Sequence, residues 1–293
     1  MTDSRQVRIS IVTPSFNQGA FLEEALLSVK NQSYPATEHI VIDGGSADGS
    51  VEILKHYSSQ PGWGHLRWVS EPDRGQGDAL NKGFRMATGD IIGWLNSDDR
   101  YRNDCFKAIV REFHRFPQVD ILYGDYTYIN EEGRVWRIRR EIEFSRFILL
   151  YLHMLYIPTT SSFFRRQIFD DGNWIDPKYH SAMDYDFILR LFSKGYTFQH
   201  ISEILADFRL HPRSKTVAHP EIGLREHSEI SAIHSPILRR VRYKVFRKFV
   251  LTGLRVAART LRYSLKLLHG YYFEQFRPSV LRHVNPLEDK PNG

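Results

Sequence analysis

Cysteine is nearly absent: Cys105 stands alone among 293 residues. That excludes an intramolecular disulfide and a cysteine-only zinc site, and it fits a reducing compartment. No uncharged apolar run reaches the roughly 18 residues that a membrane-spanning helix needs. A polar-flanked strand begins by Val7 without a basic-then-apolar leader, so no secretory signal is expected. The Gly-x-Gly-x-x-Gly fingerprint of dinucleotide-binding folds is missing, because the first strand-to-helix turn reads Thr13-Pro14-Ser15-Phe16-Asn17-Gln18-Gly19. A Gly-x-x-x-x-Gly-Lys-Ser/Thr stretch is missing too, which excludes a P-loop phosphotransferase. A nucleotide bound here must be held chiefly by a metal.

Positive charge is scarce in the front of the chain. Residues 236–283 hold twelve Lys or Arg and one acid, Glu274, while the whole chain is only +6. Residues 1–235 therefore sum to about −4, and the high pI belongs to a C-terminal appendage. A basic surface is the expected footprint of a nucleic-acid binder, so no nucleic-acid partner is expected for the main domain.

What is present is an alternation. Strands are expected at residues 8–13, 38–43, 66–70 and 91–95, with helices at 21–32, 50–57 and from about Leu80 to Met86. This predicts an α/β fold with a parallel, right-handed crossover sheet. Each strand runs into a loop of small and acidic residues, and ligands of open α/β sheets sit outside the carboxyl ends of the strands. Thr13, Ser15, Asp43 and Asp73 could read a base and ribose, and Arg74 could answer phosphate or the base edge. Any one such loop is equally a set of good turn formers; four in succession point to a ligand. After the fourth strand come Asn96-Ser97-Asp98-Asp99. They either hold a hard divalent cation shared with substrate phosphates or cap a helix starting near Tyr101.

Four ordered motifs resemble family 2 glycosyltransferases: Ser10 to Asn17, Ser28 to Pro35, Ile40 to Ser50, and Asn96 to Asp99. The match covers about residues 7–212. The resemblance implies a GT-A fold, a Rossmann-like mixed sheet flanked by helices, and inverting transfer of a sugar from a nucleotide diphosphate donor, by family weight a UDP-sugar. It implies that Thr13, Pro14 and Ser15 line the base and ribose pocket, that Asp43 accepts from the base, and that Arg74 sits beside the nucleotide. Asn17, Gly44, Ser46, Asp73 and Ser97 join the nucleotide-sugar site. Asn96-Ser97-Asp98 takes the place of the Asp-x-Asp metal motif with Asn first, so Asp98 is the ligand for Mn²⁺ or Mg²⁺, while Asn96 can offer a carbonyl to a ribose hydroxyl or a metal-bound water.

Further on, a helix is expected at residues 106–116, a strand at 120–123, a hairpin of 127–129 with 134–138, packed core at 144–155, and a strand-like piece at 158–164. Residues 180–191 open a helix whose first turn carries Asp184 and Asp186, where negative charge suits the helix dipole. The family places its general base in such a segment as Glu-Asp; here Met183 stands for the Glu, which leaves Asp184 as base. After a strand at 204–208, the segment from His211 to Ser214 resembles the family's His-x-x-Ser, so His211 joins Asp98 as a metal ligand and Lys215 could reach phosphate. His180 and His200 are read as structural.

The expected organisation is a catalytic domain over residues 1–235, with a donor-binding half (7–100) and an acceptor-facing half (101–235), and a basic helical extension over 236–293. In that extension Arg255, Arg259, Arg262 and Lys266 share one helical face. It either lies on an anionic membrane surface or packs on the catalytic domain or a second subunit, so a homodimer is allowed. The expected partners are the donor and a glycan or lipid-linked acceptor in polysaccharide or glycoconjugate synthesis. The expected location is cytoplasmic, peripheral on the inner face of the membrane. Three rival readings are another nucleotide-sugar or nucleotidyl transferase using the same metal platform, a catalytically silent, membrane-associated nucleotide-sugar binder, and an interaction protein built around the basic tail.

Overall fold

A computed structural model describes residues 6–152, 155–218, 220–241 and 244–272. Its front half is the expected alternation: β1 (Ile9–Ser15), α1 (Gly19–Lys30), β2 (Glu38–Asp43), α2 (Ser50–Ser58), β3 (Leu66–Ser70), α3 (Gln76–Met86) and β4 (Ile91–Trp94). These four strands are parallel, in the order β3-β2-β1-β4. Both faces of the sheet are covered, so successive residues of β1 are buried rather than alternating. Ile9 and Ile11 pack with Ala25 and Val29 of α1, whereas Val12 packs with Leu80 and Phe84 of α3. A Cβ on Gly83 would lie 2.3 Å from Val12 Cγ1, so α3 can approach β1 only because that position is glycine.

The back half continues with β5 (Arg100–Tyr101), α4 (Cys105–Arg115), β6 (Ile121–Ile129), β7 (Val135–Arg139), α5 (Arg146–Leu152), a 3₁₀ turn (Thr159–Ser161), β8 (Ser162–Arg165), α6 (Gln167–Asp170), α7 (Met183–Ser193) and β9 (Phe198–Arg209). β8 is antiparallel to β4, and the sheet runs on through β6, β9 and β5, with β7 hairpinned onto β6. The sheet is thus mixed. The two segments expected at 120–123 and 127–129 are one strand, β6, because β9 pairs along its whole length. No helix starts at Tyr101: Arg100 and Tyr101 pair with β9, and α4 begins only at Cys105. The polar residues after β4 therefore do not cap a helix there.

Four helices follow: α8 (Lys215–Ala218), α9 (Pro220–His234), α10 (Pro236–Arg240) and α11 (Lys244–Leu268). α9 was not legible in the sequence. Only Glu226, Ile230 and Ser231 of its fifteen residues are buried, too few for an apolar period, and Ser231 docks by donating to Leu150 O at 2.6 Å. α11 lies against α5, with Leu251, Leu254, Ala258 and Leu265 joining the main core cluster. The remainder of the extension, 273–293, lies outside the described residues.

Candidate active site

β1 leads to β2 on one side and borders β4 on the other, so the strand order reverses between β1 and β4. Ligands bind in the crevice at such a switch point. β1 pairs with β4 only as far as Val12, which leaves Thr13 to Ser15 running past the partner's end. The loops after β1, β2, β3 and β4 gather there.

On the β1–β3 side the loops hold one another. Asp43 is fully buried, and Oδ2 accepts from Gly45 N (3.1 Å), Ser46 N (2.9 Å) and Ser70 Oγ (2.7 Å), while Oδ1 accepts from Ser46 Oγ (2.5 Å). Asn17, at φ 52°, donates its N–H to Ser46 Oγ and accepts from Ala47 N. Gly44 sits so close to Asp73 that a Cβ would lie 2.8 Å from its Oδ2. Asp73 turns its other oxygen to Gly75 N at 2.7 Å. Thr13 is sealed in, its hydroxyl 2.9 Å from His39 Nε2, and burial pushes that imidazole down to about 3, so it stays neutral. Pro14 is buried at the end of β1, and Ser15 Oγ is buried without a hydrogen-bond partner among the described residues. Arg74 is not brought in; it lies at the surface and pairs with Asp78.

On the β4 side, the four polar residues divide their work. Asn96 Oδ1 accepts from Trp94 Nε1 and Gln76 Nε2, both at 2.9 Å, and its amide donates to Asp99. Its carbonyl is thus saturated by protein, which leaves no lone pair for a ribose hydroxyl or a metal-bound water. Ser97 is buried. Asp99 is buried and takes Arg209 N and the Thr160 hydroxyl; burial, aided by the charge of Asp98, raises its pKa to about 8. Asp98 alone turns outward, with Oδ2 3.0 Å from His211 Nε2.

His211 follows β9, its ring buried against Phe21 with centroids 4.7 Å apart. Arg209, two residues earlier, fixes both sides: Nε donates to Asp98 O at 2.8 Å and NH2 to Glu24 of α1 at 2.7 Å. Sequence reasoning missed Arg209, because its partners at Asp98, Asp99 and Glu24 are more than a hundred residues away in the chain.

A carboxylate suits Mn²⁺ or Mg²⁺, whereas an imidazole is a softer donor, better matched to Mn²⁺ than to Mg²⁺. His211 Nδ1 is buried and has no partner among the described residues. No third His, Cys, Asp or Glu joins the pair among the described residues. Asp98 and His211 are the two residues that would hold such a cation here.

The third wall is α7. Asp184 is half-buried in its first turn and bonded at Oδ1 to the Tyr185 N–H; burial raises its pKa, opposed by His227 and Lys215. Met183, at the position of the family's Glu, is buried beside Gly77. Lys215 reaches across: Nζ donates to Gln76 Oε1 at 2.8 Å, and the ammonium feels Asp184, Asp73, Glu226 and Asp98 together. Burial lowers its pKa and these four acids counter. Asp73 and Asp98, from the loops after β3 and β4, and Asp184 of α7 therefore act on one ammonium, that of Lys215.

α9 supports this wall. The Glu226 carboxylate accepts from the backbone N–H groups of His180, Ser181 and Ala182 at 3.0, 2.8 and 2.8 Å, immediately ahead of α7. The His227 ring lies tilted against Tyr185, with centroids 4.6 Å apart. His180 is exposed and contributes only backbone atoms to these hydrogen bonds, and His200 is buried against Asp125, 2.9 Å away.

The comparisons with known proteins agree with this architecture. Residues 10–172 match the family model described as glycosyl transferase family 2. An uncharacterized glycosyltransferase of Mycobacterium tuberculosis is 34% identical over 184 residues, 62% of this chain and 68% of its own length. The chondroitin synthase of Escherichia coli is 26% identical over 76% of this chain, which spans only 32% of that protein. Among solved structures, S. aureus TarS in complex with UDP-GlcNAc superposes with a TM-score of 0.62 at 18% identity, covering 84% of this chain and 71% of that one. The mannosyltransferase PcManGT from Pyrobaculum calidifontis, in complex with GDP-Man and Mn²⁺, gives 0.56 at 16% identity over 97% and 89%. The mixed sheet with its β1/β4 switch point is the GT-A fold. The chain belongs to glycosyltransferase family 2.

Proposed function

We propose that this enzyme is an inverting, metal-dependent transferase that moves a sugar from a nucleotide diphosphate donor, a UDP-sugar, to a hydroxyl of a growing polysaccharide or glycoconjugate. One observation carries the reading: Asp98 pairs with His211, and the Lys215 ammonium, bonded to Gln76, feels Asp98, Asp73 and Asp184 together. UDP-GlcNAc bound to TarS and the name of the chondroitin synthase support the donor and product classes.

The nucleotide lies along Ser15, Asn17, Gly44 and Asp73, where Ser15 Oγ is free to bond it. Asp43 and Ser46 shape that loop, and Thr13 braces β1 from within. Asp184 takes the proton of the acceptor hydroxyl as its oxygen attacks the anomeric carbon from the face opposite the diphosphate. Its raised pKa makes it a better proton acceptor than an ordinary carboxylate. The sugar–oxygen bond to the diphosphate breaks, and Lys215 stands as a fixed positive charge beside the departing group. Asp98 and His211 would hold Mn²⁺ or Mg²⁺, which when bound neutralises charge on the diphosphate. A peripheral position on the inner face of the cytoplasmic membrane belongs to the same proposal.

A silent nucleotide-sugar binder is the second reading, favoured by the two-ligand platform. Asp184→Asn separates the two. Transfer from a radiolabelled UDP-sugar should fall by about 10²-fold or more, while the rise in melting temperature given by donor with Mn²⁺ persists. Undiminished turnover would remove Asp184 from the mechanism.

A further inference from the structure

α11 is amphipathic twice over. Its inner face, Leu251, Leu254, Ala258 and Leu265, packs on the domain. That docking is locked by Glu141, a fully buried carboxylate that pairs with Arg262 and, at 3.2 Å, with Lys266. Arg262 and Lys266 of the basic face seen in the sequence are therefore bound to protein. The opposite face is also apolar. Phe246, Phe249, Val256, Tyr263 and Leu267 recur at spacings that keep them on one side of the helix, and they are 60%, 82%, 61%, 57% and 53% exposed. A soluble helix normally points its polar residues outward; this one is held with an aromatic stripe in solvent.

We infer that the outer face of α11 is a membrane-docking surface for an anionic lipid bilayer, lying in the plane of the interface with Phe246 and Phe249 in the acyl boundary. Charge selects the occupant. α11 carries seven Lys or Arg and no acid, and exposed Lys248 and Arg259 flank the stripe. Two copies of this helix face to face would bring like charges together, whereas anionic headgroups answer them. The stripe is also a poor helix–helix seam. Gly253 and Thr260 fall in its middle, and a Cβ on Gly253 would meet nothing within 4 Å. Facing helices would leave gaps there, which fluid lipid fills. At 25 residues the helix is about 37 Å long, and no helix of the described residues is long and apolar enough to cross a membrane. The inference rests on the peripheral placement proposed for the enzyme and is independent of the catalytic assignment.

The test is flotation of the full chain with vesicles of phosphatidylglycerol and phosphatidylcholine in equal parts, against vesicles of phosphatidylcholine alone. The wild type should float with the first and stay behind with the second. Phe246→Glu with Phe249→Glu, and separately Lys248→Glu with Arg259→Glu, should each weaken partitioning by about tenfold or more. Every substituted side chain is solvent-exposed, so melting temperature and donor-induced thermal shift should stay at wild-type values. Absence of flotation, equal affinity for the two vesicle types, or variants that bind like wild type would overturn the inference. So would a dimer in light scattering that the phenylalanine variants dissolve while vesicles are ignored; that result would give the face to a second copy. Loss of donor binding in the unsubstituted protein would bear on the transferase reading and leave the lipid result standing.

Discussion

Glu226 lets the support behind Asp184 be weighed. It sits on α9, is 5% exposed, and accepts three backbone N–H groups leading into α7. Burial alone would raise its pKa, yet these donors win and hold the carboxyl below its ordinary value. A hydrogen bond to a charged group contributes about 1.5–3 kcal/mol. The three share one carboxylate, so their contributions do not simply add. Glu226→Ala orphans all three donors and should cost about 3–5 kcal/mol, a fall in melting temperature of roughly 5–15 °C. Glu226→Gln is milder. With its oxygen placed where Oε2 stands it keeps Ser181 and Ala182 and sets its amide against the His180 N–H, at about 1–3 kcal/mol.

The pH dependence separates this from a packing defect. A carboxyl whose folded pKa is lowered stabilises fully above its unfolded value, and the contribution is lost as pH falls through the folded one. The gap between wild type and Glu226→Gln should therefore close as urea titrations move to acid below the ordinary value of 4.5. Activity should fall together with stability, because the same cap sets the first turn that carries Asp184. An Ala variant unfolding at the wild-type midpoint, or a gap independent of pH, would refute the reasoning.

Two further outcomes follow from geometry. Burial raises the Asp184 pKa while Lys215 opposes it; the acid limb of kcat/KM should lie above the usual carboxylate range, and Lys215→Met should move it to still higher pH, with a pH–rate profile of both proteins as the check. An unmoved limb would mean that the titrating group is not Asp184. Gly83→Ala places a methyl 2.3 Å from Val12 Cγ1 and should destabilise by about 1–3 kcal/mol through forced separation of α3 from β1, which a urea titration would show.

The donor half was legible because its determinants are local. β2 and β3 begin and end where short apolar runs and the following turns place them, and Asp43 and Asp98 were singled out because ligands of open α/β sheets sit outside the carboxyl ends of the strands. The back half was harder. β6 is one strand only through its pairing with β9, α9 carries too few apolar positions to declare itself, and β5 replaced the expected helix start because a distant strand supplies its partner.

Sequence alone determined the parallel core, the loop chemistry at its edge, and which residues could act there. Tertiary structure decided which of them are free to act. Asn96 has its carbonyl oxygen saturated by neighbours, Asp43 is buried and takes four donors of its own loops, Thr13 faces His39, and Asp98 alone of its cluster turns to His211. A side chain's residual hydrogen-bonding capacity depends on groups brought from far along the chain, as Arg209 and Glu226 show. For the same reason the bases of α11 look alike in sequence, yet Glu141 takes Arg262 and Lys266 inward, and the fold leaves the aromatic stripe facing out.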